Sequence, residues 1–113
     1  MSEVTVAHLE GQLADQKTLV EMRDAVQRLV KNRDFKKVIL DSFCLTEAAR
    51  YVQESADPLL PAANRADALA MAQASGHLKR FLTVVIAMGN AAANQQSALE
   101  REIDEARAEE GDA

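Results

Sequence analysis

The chain reads as all-α: a small helical bundle that ends in a long C-terminal helix able to form a coiled coil. Three observations predict this. Apolar residues make up 48% of the 113, and most of them are Ala, Leu and Val rather than aromatics; Ala and Leu are strong helix formers, and Ala lets helices approach closely. Gly and Pro together supply only 4 and 2 residues, less turn punctuation than a sheet protein of this length needs. Apolar positions also recur at intervals of three and four over long stretches, the spacing of one helix face.

The first element is predicted from about Asp15 to Lys31. Leu19, Met22, Val26, Leu29 and Val30 form its apolar stripe. Val6, Leu9 and Leu13 start a weaker stripe ahead of it, which either continues the helix or frays. Gly11 weakens that part and Asp15 is a candidate cap. Asn32 is expected to end the helix in the left-handed conformation, with Asp34 capping the next. Phe35, Val38 and Ile39 then give a short amphipathic helix. Thr46 and Glu47 are expected to open another, with Ala48, Ala49, Val52 and Ala56 inward. It must stop near Asp57-Pro58, because a residue before proline is pushed out of the helical region. Leu59 and Leu60 should dock a compact turn, and Pro61 suits the first turn of the next helix.

From Ala62 to about Ala108 there is no proline. Such a helix, about 45 residues long, would reach about 65 to 70 Å if unbroken. From Leu78 onward positions 78, 81/82, 85, 88, 92, 99, 103 and 106 approach a heptad repeat, interrupted by Gln95 and Gln96. Sustained heptads point to a coiled-coil seam. Ser75-Gly76 and Gly89-Asn90 are the expected bends. The chain is expected to be one helical domain with its core over about 15–90. Residues 91–109 either project or fold back, and 110–113 form a disordered tail.

The formal net charge is -5, which disfavours nucleic-acid binding through bulk charge. The charge is unevenly placed. Arg28, Lys31, Arg33, Lys36 and Lys37 form a basic cluster interrupted only by Asp34, whereas the chain beyond Leu99 is strongly acidic. Opposite local charges either orient packing, within the chain or between copies, or simply solvate two surfaces. Met1 to Glu10 is mixed and acidic, so no secretory leader is expected. The apolar run Phe81 to Met88 is far too short to span a bilayer. A cytoplasmic protein with no membrane partner is expected.

Nothing in the sequence assembles a catalytic constellation. His8 and His77 have no second His or Cys at a helical ligand spacing and read as surface residues. Cys44, the lone cysteine, sits between Phe43 and Leu45 and reads as a buried small apolar residue. Glu47 and Glu54, seven apart, share a helix face. Glu47 and Arg50, three apart, are placed to pair on the helix surface; drawn inward, Arg50 would instead fix the register of the bundle. No phosphate-cradling glycine loop, metal loop or nucleophile elbow is visible. A non-enzyme with no catalytic, metal-binding or cofactor-binding residues is expected.

One ordered set of residues carries a resemblance. Asn32-Arg33-Asp34-Phe35-Lys36-Lys37-Val38-Ile39 is followed by Phe43, then Glu47-Ala48-Ala49-Arg50, Ala56-Asp57-Pro58 and Leu78-Lys79-Arg80-Phe81-Leu82. Together these resemble a group of small tailed-bacteriophage proteins encoded among virion-assembly genes. Their shared pattern is N-x-D-F-K-x-x-I, an aromatic residue, E-A-x-R, and a final L-x-x-F-L helix. The resemblance covers about Leu29 to Val85, and the Ala-rich link and acidic end depart from it. It implies a virion structural or morphogenesis role, with phage head or portal components or further copies as partners, and it supplies no active site.

The expected interface is the last helix, chiefly Val85, Met88, Ala92, Leu99 and Ile103. Removing everything after Asn94 is then expected to abolish association and leave the core folded. The alternative is a small regulator that contacts a host protein or nucleic acid through Arg28, Lys31, Arg33, Lys36 and Lys37.

Overall fold

A computed structural model describes residues 3–111, with side chains from Thr5 onward. Helix α1 spans Glu3–Lys31, α2 is the single turn Arg33–Phe35, a π-helix covers Lys36–Glu47, α3 covers Ala48–Ser55, and α4 runs over Ala62–Gly111. No strand occurs among the described residues. The all-α class and the long C-terminal helix are as the sequence predicts.

The chain divides into two compact units, one made of Met1–Val26 with Val85–Ala113 and the other of Gln27–Val84. The first unit is an antiparallel helical hairpin. Glu10 of α1 meets Arg107 of α4, while Arg23, further along α1, meets Asn90, earlier in α4. Among the buried or half-buried positions of α4 here, Val85, Gly89, Ala92, Gln96, Leu99, Ile103 and Ala106 form one line, with half-buried Ile86, Ala93, Ala98 and Glu110 outside it. The intervals along this line alternate between four and three, which keeps one seam turned toward the partner helix. α1 answers with Val6, Leu9, Leu13, Gln16, Val20 and Arg23, also at alternating threes and fours. Leu9, Ile103 and Ala106 form the centre, with Val6, Leu13 and Leu99 packed against it.

Several expectations about these helices are corrected. The turns ahead of Asp15 continue the helix, the first of the two expected alternatives, so α1 runs from Glu3 through Gly11, and Asp15 lies within it rather than at its start. Neither Ser75-Gly76 nor Gly89-Asn90 interrupts α4, which is one helix over Ala62–Gly111. Gly89 lies instead where α1 comes closest: a Cβ built on it would stand 2.1 Å from the Cβ of Arg23. Gln96 does not break the repeat, because it occupies a seam position. Phe81 and Met88 are not in the seam, and neither is Met22; all three are exposed, the true positions being Leu82, Val85, Gly89 and Val20. The core therefore reaches beyond 15–90. The helix continues through Glu110 and Gly111 rather than becoming disordered there, and Asp112 and Ala113 lie outside the described residues.

In the second unit Asn32 breaks the chain between helices, but not by a left-handed turn. Its backbone is extended (φ -67, ψ 130), and its side-chain oxygen accepts the amides of Asp34 and Phe35, each at 3.0 Å. Asn32, not Asp34, is the cap. Residues 36–47 then wind more widely than an α-helix. The Lys36 ammonium reaches Asp41 at 3.1 Å and the Thr46 hydroxyl donates to the Asp41 carbonyl at 3.0 Å, both across five residues. Thr46 thus lies inside a helix rather than opening one. The wider winding suits the sequence, because Phe35, Ile39, Cys44 and Ala48 follow one another at intervals of four, five and four, and all are buried or half-buried, as is Phe43. Val38, expected inward, faces solvent.

α3 turns Ala48 inward as expected, together with Tyr51, while Ala49, Val52 and Ala56, expected on the same face, are exposed. It stops before Pro58 as predicted, and the Asp57 carboxylate accepts the Leu59 amide at 2.9 Å. Leu60 is half-buried, but Leu59 is 91% exposed and docks nothing. The Pro61 carbonyl accepts the Arg65 amide, so the proline sits one residue ahead of α4. Along α4 in this unit, Ala68, Met71, Ser75, Leu78 and Leu82 line the inner face. Buried Cys44 directs its Sγ to the Ser75 carbonyl at 3.7 Å, and the Ser75 hydroxyl is satisfied by the Ala72 carbonyl at 2.8 Å.

Candidate interaction surfaces

The five residues expected to form an interface divide by burial. Ala92 is 1% and Ile103 4% exposed, Val85 and Leu99 are half-buried, and Met88 is 48% exposed. In the hairpin, α1 covers the stripe that the sequence leaves free in α4. Only Met88 of the five presents its side chain to solvent. Truncation after Asn94 would strip Leu9 and Leu13 of their cover, so it would disturb the fold as well as any association.

The apolar side chains that do face outward are others. In the second unit they are Leu29, Val38, Leu45, Val52, Leu59, Leu69, Phe81 and Val84, and in the hairpin Met22 and Met88. The buried side chains among the described residues are small ones, Cys44, Ala68, Ser75, Ala92 and Ala106, together with Leu9, Val26, Leu82 and Ile103. No large side chain among the described residues is fully buried.

Charge separates with the units. By sequence, segments 1–26 and 85–113 carry twelve acidic and four basic residues, while 27–84 carries nine basic and six acidic. Arg28, Lys31, Arg33, Lys36 and Lys37 are all exposed, and only Lys36 has an ion-pair partner, Asp41, among the described residues. In the hairpin Arg23 is held by Asp24 at 2.9 Å and donates to Asn90 at 3.1 Å, and Arg107 pairs with Glu10. A groove between α1 and α4 of the hairpin is lined by Gln12, Asp15, Gln16, Gln95, Leu99 and Glu102. A neighbouring depression on α4 is lined by Arg101, Glu102 and Glu105.

The groups with chemical potential elsewhere have structural partners. Arg50 donates from Nε to Glu47 at 2.9 Å and from Nη1 to Glu54 at 2.5 Å, and lies 4.7 Å from the centroid of the Tyr51 ring. The hydrogen bonds to Glu47 and then Glu54 raise the Arg50 pKa above its already high value and keep it charged. This is the surface pairing that the spacing of Glu47 and Arg50 predicts; Arg50 is not drawn inward to set a register. His8 is exposed and shares a 3.2 Å hydrogen bond with Gln12, and His77 is exposed. No cluster of three or more His, Cys, Asp or Glu among the described residues could hold a metal ion. No described helix is long and apolar enough to cross a membrane.

Sequence reasoning found the basic cluster but missed the outward leucines and valines and the acidic groove. The seven-residue interval of Leu45 and Val52 was visible, but which face it marks depends on the winding that precedes it. The chain matches no family model, no curated protein and no solved structure.

Proposed function

We propose that the protein is a non-enzymatic structural or assembly component of tailed-bacteriophage particles. It works by docking helix faces on further copies of itself or on head or portal proteins. The observation that carries this reading is the set of large apolar side chains that face outward: Leu45, Val52, Phe81 and Met88 are exposed, while the buried core of the described residues holds only a few large side chains, Leu9, Val26, Leu82 and Ile103. Isolated exposed apolar residues are ordinary, but this many, with no large side chain fully buried, suit a surface that another protein covers. The order of the Asn32–Ile39, Glu47–Arg50 and Leu78–Leu82 motifs adds the phage context. The site of action is then the cytoplasm of the infected cell and the growing particle.

Light scattering on a sizing column, over a range of protein concentrations, tests the reading. The expected result is a molar mass above the 12.3 kDa of one chain that grows with concentration. A mass of one chain throughout would overturn self-association. A second reading rests on the four exposed cations without ion pairs: a regulator that binds an anionic partner, such as nucleic acid, through Arg28, Lys31, Arg33 and Lys37.

A further inference from the structure

We propose that the basic segment Arg28–Lys37 of one copy docks in the acidic hairpin groove of the next, so that the protein self-associates head to tail. This inference rests on the assembly reading and names its partner, a second copy of this chain.

The argument starts from what is unsatisfied. Arg28, Lys31, Arg33 and Lys37 are exposed and lack ion pairs among the described residues. Exposed Leu29 and Val38 flank or interleave them, so the segment offers both positive charge and apolar contact. The hairpin groove offers the complement. Asp15 from α1 and Glu102 from α4 line it together with Ala98, Leu99 and the neutral Gln12, Gln16 and Gln95. Glu105 lies in the neighbouring depression that shares Ala98 and Glu102 and is also lined by the cation Arg101. None of these three carboxylates has an ion-pair partner among the described residues.

Charge complementarity selects the occupant. Nucleic acid would satisfy the basic segment but would be repelled by the acidic hairpin that belongs to the same chain. A second copy satisfies both at once. The two surfaces differ, so the contact is heterologous: each copy that gives its basic segment still has a free groove. Such contacts run on as an open chain of copies unless the rotation closes a ring. An extensible contact of this kind fits a component of a larger assembly, and its strength falls as salt screens the charges.

Two full-length variants test the proposal, each checked by circular dichroism to be helical. One is K31Q/R33Q/K37Q, which removes three of the four unpaired cations of the segment and leaves the groove intact. The other is D15N/E102Q/E105Q, which removes the three carboxylates and leaves the segment intact. Light scattering is run at low and high salt on each variant alone, on their equimolar mixture and on the unaltered protein. The unaltered protein should grow in mass with concentration at low salt and shrink at high salt. Each variant alone should associate about tenfold more weakly. The mixture should form a one-to-one pair that grows no further, because it contains one intact groove and one intact segment. If the unaltered protein forms an oligomer indifferent to salt and to both sets of changes, the head-to-tail contact is overturned while self-association stands. If it is monomeric everywhere, both fall. Binding of a short duplex DNA probe to the monomer, lost in K31Q/R33Q/K37Q, would assign the segment to nucleic acid and overturn the proposal.

Discussion

The hairpin and the second unit use the same long helix in different ways. In the hairpin, α4 meets a single partner, and its inner face repeats every seven residues from Val85 to Ala106 with small residues where α1 comes closest. In the second unit, the same helix meets a wider π-helix and the short α3, and all four aromatic residues of the chain lie there. Two helices in contact can be matched by a constant repeat. A helix meeting several short elements needs larger, irregularly spaced side chains, and here the winding of the chain adapts to bring Phe35 and Phe43 inward, while Phe81 on α4 faces out. A π-helix of this length is unusual, since most are single-turn insertions.

Ile103→Ala should break this comparison most strongly. Ile103 is at the centre of the hairpin core, and deleting a buried branched side chain costs about 2–4 kcal/mol. Urea melts read the loss, and hydrogen exchange locates it: protection should fall first over 3–26 and 85–111 and less over 27–84. An equal fall throughout would mean that the two units unfold as one.

The next effect concerns glycine. In an open helix, Gly→Ala stabilises by up to about 1 kcal/mol. Gly11 and Gly76 have nothing within 4 Å of an added Cβ, so G11A and G76A should both raise the melting temperature. Gly89→Ala should lower it, with a net loss of stability of about 1–2 kcal/mol, because the new Cβ would collide with the Arg23 Cβ rather than with a movable side-chain end. A rise for Gly89→Ala like that of the other two would show that the hairpin tolerates a wider spacing.

The smallest effect should come from Arg50→Ala. Both partners, Glu47 and Glu54, lie on the same stretch of helix and near the surface, and exposed pairs of this kind contribute little. A melting curve close to that of the unaltered protein is expected. A large drop would mean that Arg50 holds more than its own helix.

The helical class, the proline-marked stop at Asp57-Pro58 and the unbroken run beyond Ala62 were legible in the sequence, because they depend on local preferences. The seam was legible only in part. Leu78, Leu82, Val85, Ala92, Leu99, Ile103 and Ala106 were visible, but Phe81 and Met88 drew the reading off the line, since apolar character marks a large residue whichever way it faces. Gly89 and Gln96 were hidden for the opposite reason: they occupy seam positions by size and register rather than by hydrophobicity. Residues 36–47 were illegible as a π-helix, because an interval of four or five has meaning only once the neighbouring face of α4 is in place. Likewise, nothing in α4 alone reveals that α1 covers its C-terminal stripe. The weak stripe of Val6, Leu9 and Leu13 is the partner, and only the antiparallel pairing identifies it.

The central claim is that the C-terminal seam of α4 is filled by α1 of the same chain, which leaves the outer faces for partners. Crosslinking tests it directly. In a C44A background, Glu10→Cys and Arg107→Cys place two thiols at positions that pair across the hairpin. Heavy- and light-isotope copies are mixed, unfolded and refolded together, and treated with a short bismaleimide. The claim predicts that almost all linked peptides join two heavy or two light segments. Abundant heavy-to-light links would contradict it and show that the seam is filled from another copy.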